Sequence, residues 1–227
     1  DNPTVGNGVV MSNGEVLLFG PHTTVTWFVS TTDGGHTWTR TETSTQFTAE
    51  SQTILWSRNR LYTFGHVHDA SLLRNASVSA DAGRTWDLLS FATPFNLTTC
   101  AGGMTGSASS ATTPLEGSDV LFFSHPNSPH GSRRFNGTVW RSSADGRSWA
   151  PVLSLTGDNA TDYHDFFAYS VMSTVSANET HAHVAMLYET GGPECTTTAG
   201  DRYSPSCRIV FTWLDLPLAL GGKEKSR

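Results

Sequence analysis

Two H-x-H pairs, His66/His68 and His181/His183, are the first residues whose types and spacing suit chemistry. Residues two apart on a strand share a face, so each pair would set two imidazoles side by side, the usual start of a metal site. Such a site needs three or four donors, and no further cluster of ligands accompanies either pair. Exposed or hydrogen-bonded histidines are the expectation, and no metal or cofactor is assigned. Cys195 and Cys207 flank a loop rich in Thr, Gly and Pro that a disulfide would close, which leaves Cys100 without a partner in this sequence. Five N-x-S/T sequons stand at Asn75, Asn96, Asn136, Asn159 and Asn178. Together with the cysteines they point to the secretory pathway and a secreted, extracellular or luminal protein, with glycans expected at Asn75, Asn96, Asn159 and Asn178.

The elements that must position these residues read as strands. Of the 227 residues only 15% are charged, Gly is frequent and aromatics reach 11%, a balance that favours short strands joined by tight turns. Glu15–Phe19, Val120–Phe123, Val184–Tyr188 and Arg208–Trp213 are rich in β-branched and aromatic residues and bounded by turn formers. No window sustains a helical period with caps. A net charge of −6 leaves no basic face for phosphates, so nucleic acid is not expected as a partner. No apolar run approaches the roughly 20 residues that span a bilayer, and any signal peptide is expected upstream of Asp1.

One short signature returns three times: Thr31-Thr-Asp33-Gly-Gly35-His-Thr37-Trp38, Ser79-Ala-Asp81-Ala-Gly83-Arg-Thr85-Trp86, and Ser142-Ser-Ala144-Asp-Gly146-Arg-Ser148-Trp149, with Ala in place of the first Asp in the third copy. Its physical sense is a hairpin turn in which Asp caps backbone N–H groups, Gly takes a positive φ and Trp packs beneath. Spacings of 48 and 63 residues between the tryptophans match one turn per four-stranded blade. These motifs build the fold and do not touch substrate.

The repeats resemble the Asp-boxes of the sialidase (neuraminidase) family, and the similarity runs from near Gly6 to about Leu216. It implies an all-β, sialidase-type six-bladed β-propeller, of which residues 1–220 supply about four C-terminal blades, followed by a polar tail over residues 221–227. Ile209–Leu214 resembles the strand that closes that propeller. The resemblance also implies a site. Phe167-Ala-Tyr169-Ser170 is similar to the family's Tyr-Ser motif and Thr48-Ala-Glu50-Ser-Gln52 to the strand carrying its base, so Tyr169 is the implied nucleophile and Glu50 its general base. A neutral tyrosine suits sialic acid, whose anomeric carboxylate repels an anionic nucleophile. Arg134, in the spacing R-x-N-x-T-V, is the implied third member of the arginine triad that grips that carboxylate. Glu189 resembles the carboxylate that props the first arginine. That arginine and the acid–base aspartate are expected upstream of Asp1.

The departure lies at the second arginine, where Leu61-Tyr-Thr-Phe-Gly65-His66 places a histidine. Histidine lacks the guanidinium fork and is mostly neutral at pH 7, so binding is weakened or acid-dependent, or an arginine such as Arg74 substitutes. Asn136 lies two residues from Arg134, where a glycan would obstruct the pocket. The resemblance therefore implies a retaining exo-α-sialidase acting on sialylated glycans, complete only with an N-terminal chain or segment of the same precursor. The alternative is an inactive, glycan-binding or structural propeller. Non-reducing peptide mapping should recover Cys195 and Cys207 in one disulfide-linked peptide; recovery of both as free thiols would remove the pairing.

Overall fold

The computed structural model describes residues 8–21, 26–43, 49–56, 60–66, 74–89, 103–106, 120–127, 134–143, 146–157, 165–191 and 208–219. Cys100, Cys195, Cys207, His68, Asn96, Asn159 and the tail over 221–227 lie outside these residues.

Among the described residues fifteen strands follow one another: β1 (Val9–Val10), β2 (Val16–Pro21), β3 (Thr26–Thr31), β4 (Thr39–Thr43), β5 (Ala49–Trp56), β6 (Arg60–His66), β7 (Arg74–Ser79), β8 (Asp87–Leu89), β9 (Gly103–Gly106), β10 (Leu121–Pro126), β11 (Gly137–Ser142), β12 (Trp149–Ser154), β13 (Ala168–Ala177), β14 (His181–Thr190) and β15 (Arg208–Pro217). Each sheet is an antiparallel meander of consecutive strands: β1–β4, β5–β8, β9–β12 and β13–β15. The four strand runs expected from composition fall in β2, β10, β14 and β15. The fourth blade has three strands among the described residues, and Ile209–Leu214 lies in the third of them, β15, paired with β14 along its length.

The blades stand side by side, with the first strand of each against the first strand of the next, β1 on β5, β5 on β9 and β9 on β13. The hydrophobic core lies between blades. Leu17, Phe19 and Phe28 of the first blade meet Leu61 of the second; Trp56, Tyr62 and Phe64 meet Phe123, Trp140 and Trp149 of the third; Phe122 and Val139 meet Met172, Val184 and Leu214 of the fourth.

The repeated motif forms the turn between the third and fourth strands of the first three blades. In the first copy Asp33 Oδ1 accepts from the Thr37 N–H at 2.9 Å and Oδ2 from the Thr37 hydroxyl at 2.5 Å. Gly35 adopts φ 94° and its carbonyl accepts from Trp38 Nε1. The second copy repeats this atom for atom through Asp81, Thr85, Gly83 and Trp86. The tryptophans differ in burial as the sequence does not reveal. Trp149 is buried between the second and third blades, Trp86 rests edge-on against Phe19 of the first blade, and Trp38 is 44% exposed, because it belongs to a blade with no earlier neighbour among the described residues.

Hydrogen bonds from Thr37 hold the Asp33 carboxyl far below the usual carboxylate range. Burial alone would raise Asp81, but donors from Thr85 and Ser79 outweigh it and leave the group lowered. A lowered carboxyl adds stability above its unfolded value of about 3.8 and loses it as pH falls through the folded value. Asp81→Asn should therefore lower the thermal midpoint at pH 7 by about 2–4 °C, the effect of losing one cap in a domain of this size. The gap from the parent should narrow as the pH is taken below about 4; a gap constant from pH 7 to pH 2 in thermal melts would contradict the charged cap.

Candidate functional site

In a four-stranded meander the start of the first strand, the end of the second and the start of the third share one end of the blade. The ladder registers place the implied site residues there. Glu50 is the second residue of β5, and Tyr169 the second residue of β13. His66 ends β6 opposite Ala49, Glu189 lies near the end of β14 opposite Ala168, and Arg134 precedes β11. The Asp-box turns join third to fourth strands and so occupy the opposite end.

Both implied catalytic residues lie at irregularities of the ladder. The β5–β6 register shifts between Ala49 and Gln52, across Glu50. The β13–β14 register shifts between Ala168 and Ser170, across Tyr169. Tyr169 has φ 23°, a positive value that a non-glycine residue adopts only where the surroundings impose it. A bulge re-aims a side chain out of the strict alternation of a strand. Here the half-buried Tyr169 ring packs against Phe135, Phe166 and Ala168, and the Arg134 guanidinium carbon lies 4.9 Å from its centroid.

Arg134 is held by its own backbone. Its carbonyl accepts from Phe167 N–H at 2.8 Å and Phe135 bridges Phe166, so the run before β11 pairs with the run before β13. The structure thus brings Arg134 and Tyr169 together. Half-buried Glu189 shows no ion pair among the described residues, and its prop role has no partner there. Arg74 occupies the ladder position facing His66 across β6 and β7. Asn75 follows it, opposite Gly65. The second H-x-H pair is exposed or half-buried on β14: His181 Nδ1 lies 3.0 Å from the Thr180 hydroxyl, and His183 Nδ1 lies 3.3 Å from Asp215 Oδ1. Among the described residues no group of three or more His, Cys, Asp or Glu could hold a metal.

Three supports escaped the sequence reading. Ser170, next to Tyr169, shares a buried 2.8 Å hydrogen bond with Ser124 of β10. Thr190 Oγ1 donates to the Phe166 carbonyl at 2.9 Å. Gly137 faces the Phe167 ring so closely that a Cβ there would stand 2.3 Å from Cδ2. Each joins residues far apart in sequence, so no local signal announces it.

Residues 2–184 match the BNR repeat-like domain family. The chain belongs to this family. Among solved structures it is similar to the NanB sialidase of Streptococcus pneumoniae (TM-score 0.64, 18% identity, 92% of this chain and 30% of that one). It is also similar to the intramolecular trans-sialidase of Ruminococcus gnavus (0.58, 19%, 80% and 38%) and to the Trypanosoma rangeli sialidase (0.56, 18%, 92% and 30%). No curated protein matches. The BNR repeat-like chain therefore has the fold of a partial sialidase-type propeller, and it spans 30% to 38% of the length of these three proteins.

In this BNR repeat-like chain Phe167 stacks on Tyr188 at 5.1 Å between ring centroids and cannot retreat freely from a side chain at position 137. Gly137→Ala should destabilise the protein by about 1–3 kcal/mol through overpacking, read as a lower urea midpoint. An unchanged midpoint would show that the ring has room to move.

Proposed function

We propose that the protein is a retaining exo-α-sialidase that hydrolyses terminal sialic acids from glycoconjugates. The observation that carries this reading is the Arg134 guanidinium over the ring of a bulged, positive-φ Tyr169: a fork for a carboxylate beside a phenol for the carbon that bears it. In the proposed cycle Tyr169 Oη bonds to the anomeric carbon as the glycosidic C–O bond breaks. Glu50 accepts the phenolic proton, and an aspartate outside this sequence protonates the departing oxygen. Water then releases sialic acid from tyrosine with the proton transfers reversed. Arg134 binds the carboxylate, and Arg74, facing His66, supplies a second guanidinium in place of the one His66 lacks.

The site is complete only with an N-terminal segment or chain of the same precursor. Supporting this, the face of the fourth blade turned away from the third carries Ile209, Phe211 and Trp213, which are 75%, 54% and 62% exposed and would be covered by a further blade. The sequons and cysteines support a protein of the secretory pathway. A second reading, a glycan-binding propeller without turnover, is favoured by one observation, the histidine at the end of β6 where the resemblance implies arginine.

The test measures release of a fluorescent aglycone from an α-sialoside, beside direct sialoside binding, in the complete protein. Tyr169→Phe should lower turnover by orders of magnitude with binding retained. Arg134→Lys and Arg74→Gln should weaken binding, and His66→Arg should offset the loss in the Arg74→Gln background. Binding without cleavage would favour the second reading; absence of both would leave a shared fold alone.

A further inference from the structure

Asn136 opens a sequon, Asn136-Gly137-Thr138, yet its side chain is already engaged. Asn136 Nδ2 donates to the Asn127 carbonyl at 3.2 Å, and the Asn127 N–H returns a bond to the Asn136 carbonyl at 2.9 Å. The two asparagines thereby clasp the end of β10 to the residues leading into β11. The Thr138 hydroxyl donates to the Asn136 carbonyl at 3.0 Å and lies 3.3 Å from its Oδ1, while Asn136 N–H donates to the Gly157 carbonyl. Asn136 has φ 57°, the left-handed conformation that Asn tolerates better than most side chains. This residue is the pivot at which the chain leaves its pairing with Phe166–Phe167 and enters β11. A change of backbone angle here would swing Arg134, two residues upstream, away from Tyr169.

Asn178, the other sequon whose side chain is described, differs. It is exposed, and its Oδ1 helps close the β13–β14 turn by accepting from the Thr180 and His181 N–H groups and the Thr180 hydroxyl, beside the backbone bond from Asn178 N–H to the His181 carbonyl.

We propose that Asn136 works as the unmodified amide, a positioning residue that holds Arg134 over Tyr169, and that its sequon carries no glycan in the folded protein. The catalytic meaning of this role rests on the reading of Arg134 and Tyr169 as site residues; the positioning itself does not.

The readout is the ring-current shift of the Arg134 side-chain protons in arginine-labelled protein, assigned through Arg134→Lys and its unshifted limit fixed by Tyr169→Leu. Asn136→Asp keeps a side chain that tolerates the left-handed conformation but loses the donor, and Thr138→Val loses the hydroxyl. Both should move the signal toward the Tyr169→Leu value, whereas Thr138→Ser should leave it in place. A parent-like signal in a folded Asn136→Asp protein would overturn the proposal; if that variant does not fold, a parent-like signal in Thr138→Val does so instead. Enzymatic deglycosylation in heavy-oxygen water of protein made in a glycosylating host should label Asn178 and not Asn136, and a labelled Asn136 would equally overturn it. Should the signal respond as stated while the parent neither binds nor cleaves sialosides, the positioning stands and the sialidase reading falls. In an active parent, Asn136→Asp should lower kcat/KM by up to about 100-fold, mainly through KM.

Discussion

A blade of three or four strands has two faces and cannot bury either by itself, so the fold depends on sheet-to-sheet packing between neighbouring blades. The second and third blades show it most fully. Tyr62 and Phe64 of β6 enter a cluster with Phe123, Trp140 and Trp149, and the Tyr62 hydroxyl donates to the Gly146 carbonyl in the neighbouring Asp-box turn. That bond joins residues 84 apart in sequence inside a core where an unmet polar group would be expensive. Packing of this kind fixes how each blade sits on the next and therefore where the first strands run.

Once the first strands lie side by side, the meander decides which groups can meet. Among the described residues the two ends of the blades differ in how the backbone is held. At the box end the turns are closed by local hydrogen bonds within a few residues, and the longer-range bonds that reach them, from Tyr62 to Gly146 and from Thr43 to Arg84, join one blade to the next. At the other end the backbone is irregular: a register shift at Glu50, another at Tyr169, a left-handed Asn136. Irregular backbone persists only where the surroundings over-determine it. The surroundings here are the Phe135–Phe166 bridge, the Thr190 bond to Phe166 and the serine pair of β10 and β13. With locally closed boxes at one end, the other end carries the strained backbone at Tyr169 and Asn136.

This division explains what could be read in advance. The boxes are legible because their whole physics sits in eight consecutive residues, and the strands because alternation and β-branching are local. The order of strands within blades follows from the repeat spacing. Tyr169 is different: nothing in Phe167-Ala-Tyr169-Ser170 taken alone announces a bulge, since the register shift depends on β14 and on the run before β11. Its role came from resemblance, and its position over Arg134 only from the folded chain. Arg74 could be suggested but not placed, because facing His66 depends on the pairing of β6 with β7. The unequal burial of three tryptophans in near-identical motifs is also illegible, because it depends on which blade lies next to each.

The third box shows how the two kinds of stability trade against each other. Ala144 removes the carboxylate that in the other copies accepts from the fourth residue after it. In its place the Ser143 hydroxyl accepts from Ser148 N–H at 3.0 Å, and the Ser143 N–H reaches the Ser148 carbonyl at 2.8 Å. A side-chain cap is worth about 1 kcal/mol, whereas burying an aromatic side chain is worth about 1.5–3 kcal/mol. Trp149, buried between two blades, draws on the second term in full, and half-exposed Trp38 cannot. The carboxylate is thus dispensable in the box whose tryptophan is buried between blades, and it is kept in the box whose tryptophan remains in contact with water.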